Sequence, residues 1–441
     1  MSKVHVNFGK TIGKIKVMHA VNNGPFVAGK DQTRGNQDDW QAARIPYARN
    51  HDASFFSGYG GEHTVDVHAI FPNFDADVND PVSYDFPCTD LYLKQTIQYG
   101  TEPFYRLGSK IEHGVKKYGT VKPKDFQKWA EICEHIIRHY TEGWADGFHH
   151  TITYWEIWNE PDLDSDDSTN KRTWGGTEVE FAEMYCVAAT HLKKCFSHLK
   201  IGGPASVGDE AWMERFLTRI REKNAPVDFF SWHWYWTQPE DMSLKGTRVR
   251  KLMEKYGYGH AESILNEWNY IRGWTDEFVY SLEQMHGMKG AAFTSACMAA
   301  GQSNPAMDMM MYYDAAPGTF NGLFDYYTMR PLKGYYPFFL YSNLYELGTQ
   351  VASESDDSDV YAVCARSGDR LGMMITYYTE DDNKGRCKLT LEADGADLTG
   401  ARFFLVDEYN TLAEKPAFRF ENGKAELVLE RNSILYIEKD G

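Results

Sequence analysis

The chain of 441 residues carries a formal net charge of −17, from 63 acidic against 46 basic side chains, and 15 % of it is aromatic, including 12 Trp and 28 Tyr. That charge repels phosphate backbones and anionic bilayers, so nucleic acid and membrane surfaces drop out as expected partners, while a neutral substrate does not. No run approaches about 18 consecutive apolar residues, which argues against a membrane span, and the length allows one large and one small domain.

The N-terminal Met1-Ser2-Lys3-Val4-His5-Val6-Asn7 has no apolar core of a secretory leader. Gly13 to Ala20 alternates and ends in the turn Val21-Asn22-Asn23-Gly24-Pro25, a strand and its exit. After a polar helical stretch, Ala43 to Arg49 reads as a second strand, leaving through Asn50-His51-Asp52. Residues 54–86 show no helical period and are rich in Asp, Asn and Pro, the character of a long rim loop. Helix and strand then alternate. Helices are expected over Asp90–Tyr99, Lys124–Tyr140, Glu178–Phe196, Ala211–Glu222, Ser243–Tyr256 and Glu277–Ala300. Strands are expected at Glu102–Gly108, Tyr154–Trp158, Lys200–Pro204, Val227–Tyr235, Ser263–Asn269 and Met307–Tyr313. Eight strands in such a series predict a parallel sheet closed into a (β/α)8 TIM barrel over residues 10–345. An open doubly wound sheet is disfavoured, because no phosphate-binding glycine loop follows any strand.

From about Thr349 the pattern changes to short strands, Val360–Ala365, Leu371–Tyr377, Cys387–Leu391 and Ser433–Ile437. Residues 346–441 are therefore expected to form an appended C-terminal antiparallel β-sandwich, with residues 1–9 as a candidate to complete it. The seven cysteines are odd in number and lack CxxC spacing. They predict a reduced, cytoplasmic protein without disulfides or a zinc site. The acidic runs Asp75–Asp80 and Asp162–Asp167 lack the spacing of a calcium loop and read as solvated.

In a barrel the chemistry sits where strands end. The fourth strand ends in Glu156-Ile157-Trp158-Asn159-Glu160-Pro161 and the seventh in Leu265-Asn266-Glu267-Trp268. Period-2 alternation puts Glu156, Trp158 and Glu160 on one face, with Trp155 and Ile157 toward the helices. Glu160 at the exit is placed to reach substrate. Glu156, one pleat below, is expected inside the barrel, paired with a base such as Arg49. On the sixth strand His233 and Tyr235 share a face opposite Trp232, Trp234 and Trp236. Two carboxyl groups about 5–5.5 Å apart would suit double displacement with retention, and about 6.5–9.5 Å would suit inversion.

These residues carry a resemblance. Trp158-Asn159-Glu160-Pro161 on a fourth strand with a strand-ending Glu267 on the seventh resembles the 4/7 superfamily of retaining glycosidases, clan A. Ser231-Trp232-His233-Trp234-Tyr235, Leu265 to Trp268, Arg49-Asn50-His51 and Asn321-Gly322-Leu323-Phe324 extend it to glycoside hydrolase family 39, the β-xylosidase and α-L-iduronidase family. The resemblance covers roughly residues 15–345. It implies Glu160 as general acid/base, Glu267 as nucleophile and Asn159 as ligand of the sugar 2-hydroxyl. It also implies His233 and Tyr235 as sugar contacts beside the nucleophile, and His51 as a second-strand sugar ligand. Trp174, followed by two glycines, is a candidate sugar platform. No metal or organic cofactor is called for.

The chain departs from the family pattern in three places. Asn266 precedes Glu267 where Thr is usual, Asp52 follows His51 where Gly is usual, and Met310-Met311-Tyr312-Tyr313-Asp314 ends the eighth strand. The expected activity is exo attack on small glycosides or oligosaccharides, β-xylosidase-like. The alternatives are the same mechanism on a β-galactoside, α-L-arabinoside or uronic acid glycoside, or a carbohydrate-binding barrel without catalysis. Self-association into a homo-oligomer is a further expectation for barrels of this build.

Overall fold

A computed structural model describes residues 2–27, 35–52 and 63–441. The first strand, β1 (Ser2–Lys14), leads directly into the barrel strands β2 (Val17–Asn22), β3 (Tyr47–Arg49), β4 (Glu102–Leu107) and β5 (Tyr154–Ile157). β6 (Lys200–Ser206), β7 (Phe229–Trp236), β8 (Glu262–Tyr270) and β9 (Met309–Tyr312) complete the set. All eight pair in parallel in chain order, and β9 closes on β2. This is the TIM barrel that the strand-helix alternation predicts. Part of the expected rim loop, residues 53–62, lies outside the described residues; its later part carries a short helix, Val67–Ile70.

The helices that cover the barrel follow from their apolar spacing. In Phe126–Thr141 the residues Trp129, Ile132, Cys133, Ile136, Ile137 and Tyr140 form one buried stripe, and the Asp125 side chain caps the first turn. Glu178–Cys195 starts with a capping box made by Thr177 and Glu180. The single long helix expected over Glu277–Ala300 is instead two, Phe278–His286 and Met288–Ser303. Gly287 between them is extended at φ −105°, ψ −169° and breaks the backbone ladder.

The barrel interior is layered. Its lower plug is apolar, built from Ala20, Phe104, Tyr154, Phe229, Ile264, Met309 and Met311. Above it the interior turns polar, which prepares the site.

The C-terminal strands are β10 (Thr349–Ser355), β11 (Val360–Ser367), β12 (Arg370–Tyr377), β13 (Cys387–Asp394), β14 (Arg402–Val406), β15 (Ala413–Glu414), β16 (Lys424–Leu429) and β17 (Ser433–Lys439). They form a nine-stranded sheet with β1, which lies between β10 and β13. The β1–β13 pair is parallel and the other pairs are antiparallel. One apolar core gathers Val4, Val6 and Phe8 with Met373, Leu391, Leu405, Leu427 and Ile437, so the sheet folds over on itself. No helix among the described residues is long and apolar enough to cross a membrane.

Candidate active site

The site sits where β5, β7 and β8 end, over a fully buried ion pair. Arg49, the last residue of β3, donates through Nε to Glu156 Oε2 at 2.6 Å. Glu156 Oε1 also accepts from Ser231 Oγ and Asn266 Nδ2, each at 2.6 Å. Arg49 uses its other nitrogens upward, Nη2 to Asn159 Oδ1 at 2.6 Å and Nη1 to Asn22 Oδ1 at 3.0 Å and Glu267 Oε2 at 3.2 Å. One guanidinium thus joins the interior glutamate to both strand ends. Removing one partner of such a buried pair leaves the other charge without compensation. Arg49→Leu should therefore lower the unfolding free energy by about 3–5 kcal/mol, read by urea denaturation; a loss under about 1 kcal/mol, typical of exposed pairs, would contradict this role.

Simple alternation does not bring Glu160 to the site. β5 ends at Ile157, and Trp158 takes φ 76°, a left-handed conformation that costs free energy for a tryptophan. Its ring consequently leaves the Glu156 face and packs against Trp129 and Trp174, with its indole N–H donating to Thr173 O at 2.8 Å. The shared inward face expected for Trp158 is corrected accordingly. Gly108 permits the turn, because a Cβ there would lie 3.0 Å from the Trp158 ring. Glu160 itself has φ 47°. Its N–H donates to Ala205 O at 2.9 Å and its carbonyl accepts from Thr173 Oγ1. Asp162 next to it accepts from Ser206 Oγ at 2.6 Å and Val207 N at 3.0 Å. The strained turn is held on both sides.

Glu267 is aimed by a bulge. His233 pairs with Glu267 while Trp232 pairs with Leu265, so Asn266 is an extra residue on β8. The bulge lets consecutive residues both reach the interior, Asn266 to Glu156 and Glu267 to the site. Trp268 returns to the helix side against Phe293 and Tyr312.

The two carboxylates meet around His233. One carboxylate oxygen from each and a His233 ring nitrogen all lie within 4.8 Å of one another. His233 Nδ1 is 2.8 Å from Glu160 Oε1, and Nε2 is 3.6 Å from Glu267 Oε2. Tyr235 OH donates to Glu267 Oε1 at 2.6 Å. Burial pushes the Glu160 carboxyl up to about 7, against the pull of His51, Arg49 and Arg172. Burial likewise holds His233 down to about 4, against the attraction of Glu267. Tyr235 is driven well above its usual range by burial and then by the Glu267 charge, so it stays a hydrogen-bond donor. Glu160 therefore sits beside a neutral imidazole, whereas Glu267 receives a phenol and a guanidinium. The same residue type is given two opposed environments.

The remaining expected residues divide. Asn159 is fully buried, its Oδ1 is taken by Arg49 and its Nδ2 has no partner, a donor aimed by its own constraint. His51 is buried with Nε2 3.8 Å from Glu267 and Nδ1 3.0 Å from Asp52. Trp174 is not a platform. It is 3 % exposed, edge-on to Trp158 and Phe181, and its Nε1 donates to Thr177 O. No face is free for a sugar.

The structure gives partners to residues that the sequence marks only as departures. Asp52 lies 3.1 Å from Lys110 and accepts from Tyr313 OH at 2.8 Å. Burial opposes its charge, but His51, Lys110 and Tyr313 hold it well below the usual carboxylate range. Asp314 accepts from Asn23 Nδ2 at 2.9 Å, and burial with the nearby Asp52 charge raises it well above that range. Asp52 and the Tyr313–Asp314 pair belong to two of the three places where the chain departs from the family pattern, and Asp52 and Tyr313 lie against His51.

A sequence profile described as Glycosyl hydrolases family 39 matches residues 13–277. A β-xylosidase from Caldicellulosiruptor saccharolyticus is 27% identical over 264 residues, 57% of this chain and 50% of that protein. A second from Geobacillus stearothermophilus is 27% identical over 215 residues, 42% of this chain and 41% of that protein. The chain thus aligns with about half the length of these curated relatives or less. Among solved structures, a glucosidase from Croceicoccus marinus superposes with a TM-score of 0.80 at 22% identity, covering 99% of this chain and 98% of that one. That likeness is one of fold.

Proposed function

The chain belongs to glycosyl hydrolase family 39, and from that premise we propose that it is a retaining exo-acting glycosidase, β-xylosidase-like, working on small glycosides or oligosaccharides by double displacement. The observation that carries the reading is the Glu160–Glu267 pair, whose nearest oxygens lie within 4.8 Å across a neutral His233. Such proximity supports the close pairing of a nucleophile with an acid that double displacement uses.

In the proposed reaction Glu267 attacks the anomeric carbon while Glu160 gives its proton to the glycosidic oxygen. The bond to the leaving group breaks and a glycosyl ester forms on Glu267. Glu160, now ionised, then takes a proton from water, and the water oxygen displaces Glu267 from the same carbon. Asn159 Nδ2 is the free donor for the sugar 2-hydroxyl. Tyr235 and Arg49 hold one Glu267 oxygen each and leave the carboxylate oriented. Family relatives named as β-xylosidases support xylose as the sugar. Asp52, Tyr313 and Asp314, joined by hydrogen bonds beside His51, are the residues through which β-galactoside, α-L-arabinoside and uronic acid readings would differ from it. A reduced, cytoplasmic setting belongs to the same proposal, supported by seven free thiols.

The test is a panel of aryl glycosides, with the anomer of the first product followed by NMR. Hydrolysis with retention supports the reading. Inversion, or glycan binding without hydrolysis, overturns it. A pH profile adds a sign. Glu160 must enter the reaction protonated and its carboxyl sits at about 7, so kcat/KM should fall as pH rises through that value. A rate that stays level to pH 9 would remove Glu160 as the acid.

A further inference from the structure

The site just described is withdrawn from solvent, with Glu160, Glu267, His233 and His51 between 1 % and 6 % exposed. At its rim, on the segment that leaves β8, Trp274 is 56 % exposed. Its ring meets Tyr235 at 5.1 Å between centroids and 75°, so it stands on the residue that holds Glu267. Phe278 and Phe320 back it at 5.9 Å and 6.2 Å. A large indole supported from below with a face left to solvent is the surface that the apolar C–H face of a pyranose packs against. Because the reacting ring is buried, the part of a glycoside that reaches this face is the part beyond the scissile bond.

The same segment is tied to the accessory sheet. Glu380, in the turn after β12, accepts from Tyr270 OH at 2.9 Å and from Arg272 Nε at 2.9 Å. Tyr378 OH adds contacts to Thr237 O at 2.6 Å and Glu380 Oε2 at 3.2 Å, fastening the turn to the exit of β7. Lys289 lies 3.5 Å from Glu380 and 2.9 Å from Asp382, and the Arg272 guanidinium covers the Tyr280 ring at 4.2 Å. A single carboxylate of the sheet therefore fixes both the last residue of β8 and the arginine two positions before Trp274.

We propose that Trp274 forms a second sugar subsite that takes the leaving-group unit, and that Glu380 is a positioning residue holding it in place. The proposal rests on the glycosidase reading. It gives the accessory sheet a part in recognition, since it supplies the anchor of the subsite without touching the reacting ring.

The test compares β-1,4-xylobiose with β-xylosyl fluoride, whose leaving group is too small to reach Trp274. Trp274→Ala should lower kcat/KM for the disaccharide by about tenfold, mostly through KM, and affect the fluoride far less. Glu380→Gln should show the same selective pattern at about threefold, with Glu380→Asp closer to wild type and the Glu380→Gln/Trp274→Ala double variant no worse than Trp274→Ala. Equal losses on both substrates would make Glu380 merely structural, and no selective loss in Trp274→Ala would remove the subsite. If the wild-type protein hydrolyses neither compound, the reading of xylose as the sugar fails by itself. Calorimetry with xylobiose and xylose then decides the subsite alone. Tighter binding of the disaccharide, abolished by Trp274→Ala, supports it; equal binding overturns it.

Discussion

Replacement of Glu267 by alanine is expected to lower kcat by at least about 10⁴-fold on every glycoside hydrolysed. In the proposed mechanism the covalent intermediate forms on this carboxylate, and Glu156 cannot take its place, being fully buried beneath it and committed to Arg49, Ser231 and Asn266. The fold should survive. Arg49 keeps Glu156, Asn22 and Asn159, and Tyr235 opens toward the emptied space. Circular dichroism and thermal unfolding check that point, and added azide supplies the chemical control. In the space left by Glu267 it should form a glycosyl azide of inverted configuration. A Glu267→Ala protein turning over at more than about 1 % of the wild-type rate would not be compatible with the nucleophile role.

The second large effect is on proton transfer, and it should depend on the leaving group. Glu160→Ala is expected to lower kcat/KM by about 10²–10⁴-fold for glycosides whose leaving group needs protonation. For a dinitrophenyl glycoside, which departs as an anion, the first step should be nearly spared and the glycosyl-enzyme should accumulate. Azide should then give a product of retained configuration, the opposite of the Glu267 variant. The fall expected near pH 7 should vanish as well, since it is assigned to this one buried carboxyl. A uniform loss across leaving groups would assign Glu160 to binding instead of acid catalysis.

What the residues alone disclose depends on how local the cause is. Glu160 and Glu267 are visible because each follows an apolar run, although the structure puts Glu160 three residues past the end of β5 and Glu267 three residues before the end of β8, not at its end. The interior position of Glu156 follows from its place one pleat below the exit. The structure brings Glu156 and Arg49 to 2.6 Å. Alternation fails at two places, both backbone irregularities that period-2 reasoning cannot contain. Trp158 leaves its face through φ 76°, and the bulge at Asn266 turns two neighbours inward. Trp174 and Trp274 show the limit of loop reading. Each follows a catalytic strand, yet one is sealed between Trp158 and Phe181 while the other is half in solvent. Which indole is free is decided by tertiary packing. The same holds for Asp52, which is far in sequence from Tyr313 and Asp314 and meets them only when β9 closes on β2. In the accessory sheet, Arg402–Val406 and Lys424–Leu429 go unread, and β1 enters the sheet from the opposite end of the chain.

The most direct measurement is to trap the covalent intermediate. A 2-deoxy-2-fluoro glycoside with an activated leaving group slows the second displacement more than it prevents the first, and mass spectrometry of the digested protein then locates the sugar. One equivalent of fluorosugar should be esterified to Glu267, with inactivation slowed by a competing product sugar. A label on Glu160, or complete turnover of the natural glycoside with no covalent species at Glu267, would contradict the nucleophile role of Glu267.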